Sequence, residues 1–183
     1  MDQTSLNSLL EHNTYGIDNA VRSLTQMQKG LSQPIRTSYE FLNDLTFGGL
    51  QKDTVVTIAA RASQGKTHMA QVLRRDILQK EDTCLLYYNW EMSWFNLLIL
   101  EIKKTLDILL SEVLSRPPTS IELEHYKKVA DEYRNERFTS VERTLTPDEF
   151  EYVTRRYVEK NLDKEHIVIM IDHIGITKGS NKK

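Results

Sequence analysis

A short apolar run, Val55 to Ala60, leads directly into Arg61-Ala62-Ser63-Gln64-Gly65-Lys66-Thr67, and a helical pattern with Met69, Ala70, Leu73 and Ile77 on one face follows at once. No other stretch restricts the fold as tightly. Continuous β-branched runs of this length suit strands buried on both faces, and Cys84 to Tyr88 and Ile167 to Ile171 have the same character. Helical patterns separate the three, so the chain is expected to be an α/β protein with a mainly parallel sheet and flanking helices. Arg137 to Val141 is expected to add a short edge strand. With only these strands, one edge of the sheet is expected to stay unpaired.

The remaining helices follow from periodicity and capping. Phe95, Leu98, Ile99, Ile102, Leu106, Leu109 and Val113 recur at helical spacing after Ser93, and this helix is expected to run on until Pro117-Pro118. Thr119 with Glu122, and Thr146 with Pro147 and Glu149, are capping boxes that start two more. Residues 1–34 carry narrow apolar stripes at Leu6, Leu9, Leu10, Ile17, Val21, Leu24 and Met27, interrupted by Gly16 and closed by Gly30 and Pro34. They read as a linker or arm of amphipathic helices needing a partner surface. The expected organisation is therefore an arm over 1–34, a core over 35–176 and a polar tail over 177–183.

Composition excludes several classes. A formal charge of -2 over 183 residues leaves no global positive field to draw in nucleic acid. The longest apolar stretch, Phe95 to Leu114, is interrupted by Glu101, Lys103, Lys104 and Asp107, so no membrane span is expected. One cysteine, Cys84, excludes an internal disulfide or a cysteine metal cluster, and the N-terminus has no signal-peptide pattern. A cytoplasmic setting is expected.

The segment Ala60 to Thr67 matches the phosphate-binding pattern G-x-x-x-x-G-K-[ST] except for alanine at its first position. In such a loop Gly65 lets the backbone curl round phosphates, and the amides of Ser63, Gln64 and Gly65 and of the first helical turn face the anion. Lys66 reaches the β- and γ-phosphates, and the Thr67 hydroxyl binds Mg²⁺. The plainer alternative is a turn before a helix that begins with a surface lysine. Asp172 ends the apolar run Val168 to Ile171, where α/β sheets bind ligands, and is either a Mg²⁺ ligand or a turn residue. Glu91, just beyond the second run, is either a base for a water attacking the γ-phosphate or an acid favoured by a helix N-terminus. His12, His68, His125 and His166 show no metal-ligand spacing. Tyr87, Tyr88, Trp90, Trp94 and Phe95 are expected to pack in the core.

Leu42 to Leu50, Val55 to Thr67 and Trp90-Glu91-Met92-Ser93 together resemble the ATPase domain of DnaB-type replicative DNA helicases, a RecA-like group, and the resemblance continues through Arg137 to Val141 and Leu145 to Glu149 over about residues 35–176. It implies a RecA-like P-loop NTPase using ATP and Mg²⁺. It also implies that Glu91 is the catalytic glutamate and that alanine is acceptable at position 60. The implied partners are further subunits of a homo-oligomeric ring, or a complementary helicase chain, with single-stranded DNA in the complete assembly. The sequence departs from the family's usual Tyr-Leu-Gln after the aspartate, having His173-Ile174-Gly175, and His173 is expected to be a packing or edge residue. Eleven residues follow Asp172, so the expectation is an N-terminal portion of that domain. The alternative function is a truncated or split piece that binds nucleotide or a helicase partner without unwinding DNA.

Overall fold

Strand-forming residues find partners at three of the four expected places. In the computed structural model, residues 33–61, 63–106 and 109–173 are described, together with positions 17, 18, 20–22, 24–26, 28 and 29. The chain divides into two compact units, Met1–Val56 and Thr57–Lys183.

In the first unit, helix α1 (Glu40–Leu45) is fixed by Asn43, whose side chain accepts from the Thr37 amide at 2.8 Å and donates to the Thr37 carbonyl at 2.9 Å. Ile35 and Leu50 form an antiparallel bridge that closes the loop. Gly49 sits there at φ +142°, where any Cβ would collide with the Ile35 carbonyl. This is why the Phe47-Gly48-Gly49-Leu50 sequence tolerates no side chain at position 49. The described part of the expected arm is helical, with Ile17, Val21 and Leu24 exposed. Leu6, Leu9, Leu10, Gly16, Met27 and Gly30 lie outside the described residues.

The second unit is an α/β layer structure. Its elements are α2 (Lys66–Gln79), β1 (Thr83–Asn89), α3 (Trp94–Leu106), α4 (Leu110–Ser115), α5 (Ser120–Tyr133), β2 (Phe138–Val141), α6 (Pro147–Lys160) and β3 (His166–Asp172). The three strands are parallel in the order β2-β1-β3, with Leu85 level with Phe138 and Val168, and Asn89 level with Asp172. β1, central and buried along its whole length, carries the uninterrupted apolar run that a strand covered on both faces requires. On one face Leu86, Tyr88 and Trp90 pack with Leu145 and with Phe150, Val153 and Tyr157. On the other, α2 supplies Leu73 and Ile77, and Arg74 lies 4.0 Å over the Tyr133 ring. Both expected capping boxes are present: Thr119 accepts from the Glu122 amide, and Thr146 from the Glu149 amide. No helix among the described residues is long and apolar enough to cross a membrane.

Three expectations are corrected. Val55 to Ala60 is not a buried strand: it has no ladder partner, and Val55 is 93% exposed. A β-branched run becomes a strand only where neighbouring backbone completes its hydrogen bonds, and no described strand does so here. The helix expected to continue past Leu109 stops at Leu106, and a new one starts at Leu110. Glu112 restarts it, its carboxylate accepting from the Leu109 amide at 3.1 Å. Phe95 is exposed, whereas Leu97, Ile99 and Ile102 are buried, so the core-facing stripe of α3 is turned relative to the one expected. Tyr87, Tyr88 and Trp90 are core residues as expected, and Trp94 packs edge-on against Tyr133 and Phe138.

Candidate functional site

Helix α2 runs opposite to the strands. Near its start, Gln71 donates to the Tyr87 hydroxyl late in β1 at 3.5 Å. At its end, the carbonyls of Leu78 and Lys80 accept from Arg137, just before β2, at 2.8 and 2.7 Å. The N-terminus of α2 therefore lies towards the carboxyl ends of the strands, where Asp172 ends β3 and Glu91 follows β1 by two residues. A parallel sheet with its crossover helix puts loop, helix dipole and strand-end carboxylates at one end of the molecule.

The loop before α2 has the backbone that its sequence calls for. Gly65 is the N-cap at φ +85°, where a Cβ would meet nothing closer than the Cβ of His68 at 4.0 Å, and Ser63 is also left-handed at φ +61°. The first intrahelical bond runs from the Met69 amide to the Gly65 carbonyl at 2.9 Å, and no side chain caps the helix. The amides of Lys66, Thr67 and His68 thus face outward at the positive end of the helix dipole, a donor set suited to a phosphate. The Lys66 ammonium donates to the carbonyls of Ala60 and Arg61 at 3.3 and 3.4 Å, so its charge lies over the loop. Ser63 and Gln64 are exposed, and Thr67 is half-buried one position beyond Lys66.

Asp172 and Glu91 come together. A ligand atom of each, with one from His173, lies within 4.8 Å of the others. Asp172 is buried, while Glu91 and His173 are largely exposed and paired, Nδ1 to Oε2 at 3.3 Å. This corrects the expectation that His173 is a packing or edge residue; the chain turns at the end of β3 and brings the imidazole out to Glu91.

A buried chain of hydrogen bonds that sequence reasoning missed holds Asp172. The Tyr87 hydroxyl donates to Oδ2 of Asp172 at 3.3 Å. The Oε1 atom of Gln71 accepts from the Tyr133 hydroxyl at 3.0 Å and from Nε of Arg74 at 3.1 Å. Burial, reinforced by the Asp172 charge, pushes the Tyr87 phenol far above its usual range, so it stays protonated and remains a donor. Burial likewise raises Tyr133, to about 12. The available sequence signal was the alternation of β1, which puts Tyr87 and Asn89 on one face and Tyr88 on the other. Asn89, level with Asp172, is buried and its Oδ1 accepts no hydrogen bond among the described residues.

The parallel sheet, crossover helix and Gly-Lys-Thr loop define a RecA-like ATPase domain. The structure is similar to a solved structure described as the ATPase domain of a helicase, with a TM-score of 0.68 and 19% identity. That match covers 91% of this chain and 60% of the other. No curated protein sequence matches the chain. The family model for the DnaB-like helicase C terminal domain matches residues 34–183, and the chain belongs to that family.

Proposed function

We propose that this chain is the ATP-binding and ATP-hydrolysing module of a replicative DNA helicase, unwinding DNA as part of a complete ring. The observation that carries the reading is the shared location of the outward-facing amides at Gly65–His68 and the Glu91–Asp172 pair, all at the carboxyl end of one parallel sheet.

In this reading Ser63, Gln64, Gly65 and Lys66 hold the triphosphate, with the lysine neutralising charge on the β- and γ-phosphates. Thr67 and Asp172 hold Mg²⁺, a hydroxyl and a carboxylate being the hard oxygen ligands that ion takes. When bound, Mg²⁺ withdraws charge from the phosphate oxygens. Glu91 accepts a proton from a water that attacks the γ-phosphorus; the bond to the β,γ-bridging oxygen breaks, releasing ADP and inorganic phosphate. Tyr87 keeps the Asp172 carboxylate in position. Ring neighbours and single-stranded DNA are the partners, in the cytoplasm.

A second reading is favoured by the sheet itself. β3 pairs on one side only among the described residues, and Val55 to Ala60 has no ladder. A complementary helicase chain that supplies strand partners would make this chain a nucleotide-binding part without unwinding activity of its own.

A fluorescent ATP analogue with Mg²⁺ tests the site. Lys66→Ala is expected to weaken binding at least about tenfold, whereas Glu91→Gln keeps binding and loses turnover. Equal binding by wild type and Lys66→Ala would overturn the assignment. Light scattering separates the two readings, a ring-sized species with ATP favouring the first and a persistent monomer the second.

A further inference from the structure

The third member of the strand-end cluster has no part in phosphate binding or proton transfer. Nδ1 of His173 lies 3.3 Å from Oε2 of Glu91, and both residues have one ligand atom within 4.8 Å of an Asp172 oxygen. We propose that Glu91, Asp172 and His173 form a three-ligand site for a first-row divalent cation of the Zn²⁺ or Co²⁺ type. The site shares two carboxylates with the proposed hydrolysis site and rests on that reading only for what its occupation would do to turnover.

The donor set decides the class of ion. Mg²⁺ takes oxygen ligands and water, while one imidazole nitrogen beside two carboxylate oxygens suits the borderline ions later in the series. Bonds of about 2.0 to 2.2 Å would place neighbouring ligand atoms roughly 3 to 3.5 Å apart. The Glu91–His173 pair is already at that separation. Closing the rest needs a shift of about 1 Å, which rotamer changes in two exposed side chains can provide.

The surroundings also favour a cation. Neither Glu91 nor Asp172 pairs with a lysine or arginine among the described residues, so two carboxylates share one imidazole as their local counter-charge. Asp172 is oriented from behind by the Tyr87 hydroxyl, the kind of outer support that metal-ligating carboxylates have. Asn89, 1% exposed and level with Asp172 in the sheet, presents an amide oxygen with no donor among the described residues, adding a further negative dipole beside the cluster. A cation held by Glu91 would occupy the oxygen that the proposed mechanism uses to accept a proton, so such an ion inhibits hydrolysis instead of supporting it.

The test is a Co²⁺ titration of the full chain without nucleotide, followed by visible absorption. Wild type is expected to develop the band of protein-bound Co²⁺. His173→Ala and Asp172→Asn should each weaken binding about tenfold or more, with circular dichroism showing that both variants stay folded. Lys66→Ala is expected to bind Co²⁺ as wild type does. No Co²⁺ binding by wild type, or undiminished binding by His173→Ala, overturns the proposal. Failure of the phosphate-loop reading shows separately, as ATP-analogue binding that survives Lys66→Ala while Co²⁺ binding remains intact.

Discussion

Tyr87→Phe removes one oxygen atom from the centre of the unit and isolates the contribution of the buried chain behind Asp172. The ring stays, so no cavity of side-chain size opens, and the change is confined to hydrogen bonding. Two bonds go: the donation to Oδ2 of Asp172 at 3.3 Å and the acceptance from Nε2 of Gln71 at 3.5 Å. A buried group left without its partner costs about 1 to 3 kcal/mol, and more where the partner is charged. Both distances are long, which places the expected loss in the lower part of that range, about 1 to 2 kcal/mol. For a unit of this size that corresponds to a fall in Tm of roughly 3 to 10 °C. Urea denaturation of the full chain measures it: the midpoint should fall while the slope stays constant, because the surface exposed on unfolding is unchanged. A double-mutant cycle with Asp172→Asn then assigns the coupling, expected at about 0.5 kcal/mol or more for groups in contact. A loss below about 0.3 kcal/mol, or strict additivity with Asp172→Asn, would refute the view that Tyr87 supports the carboxylate.

Two further predictions concern the frame of the site. Val55→Thr should change stability by less than about 0.5 kcal/mol, because the side chain is 93% exposed; a loss of about 1 kcal/mol or more on denaturation would mean that the run is buried in solution after all. Glu122, hydrogen-bonded first by Arg116 and then by Thr119, is held down to about 2, so its stabilising effect is complete above its ordinary value of 4.5 and is lost as pH falls towards 2. Carbon-13 NMR titration should find its midpoint near 2, moving up in Arg116→Ala, and a wild-type midpoint at the ordinary value would count against the Arg116 contact.

Local signals translated well where a short stretch of chain specifies its own geometry. Gly65 takes the left-handed N-cap that the Gly-Lys-Thr sequence demands, and Thr119–Glu122 and Thr146–Glu149 close their boxes because each is complete within four residues. The run Cys84 to Tyr88 became the central strand because its continuous apolar character requires cover on both faces, and α2 and α6 provide it. Asp172 and Glu91 were legible one at a time from their places after apolar runs. That they converge depends on β1 and β3 being neighbours in register, a long-range fact that neither run carries. The link from Tyr133 and Arg74 through Gln71 to Tyr87 joins residues up to 62 positions apart, which explains why periodicity alone never pointed to it.

Val55 to Ala60 marks the limit of composition as a guide to burial. Its residues match those of β1 in character, yet β1 is wholly buried and this run is exposed with no ladder. The difference lies in what adjoins each segment. β1 has β2 on one side and β3 on the other, so its backbone groups have places to bond, and the side chains above and below are then covered by helices. Apolar character makes a segment fit for burial without supplying the neighbour that buries it. The same logic applies to β3, whose burial pattern is partial along its middle five residues and whose second side has no described partner. A strand added there would complete its hydrogen bonds and cover Val168 to Ile171 further, turning an edge open to unspecific pairing into an interior position.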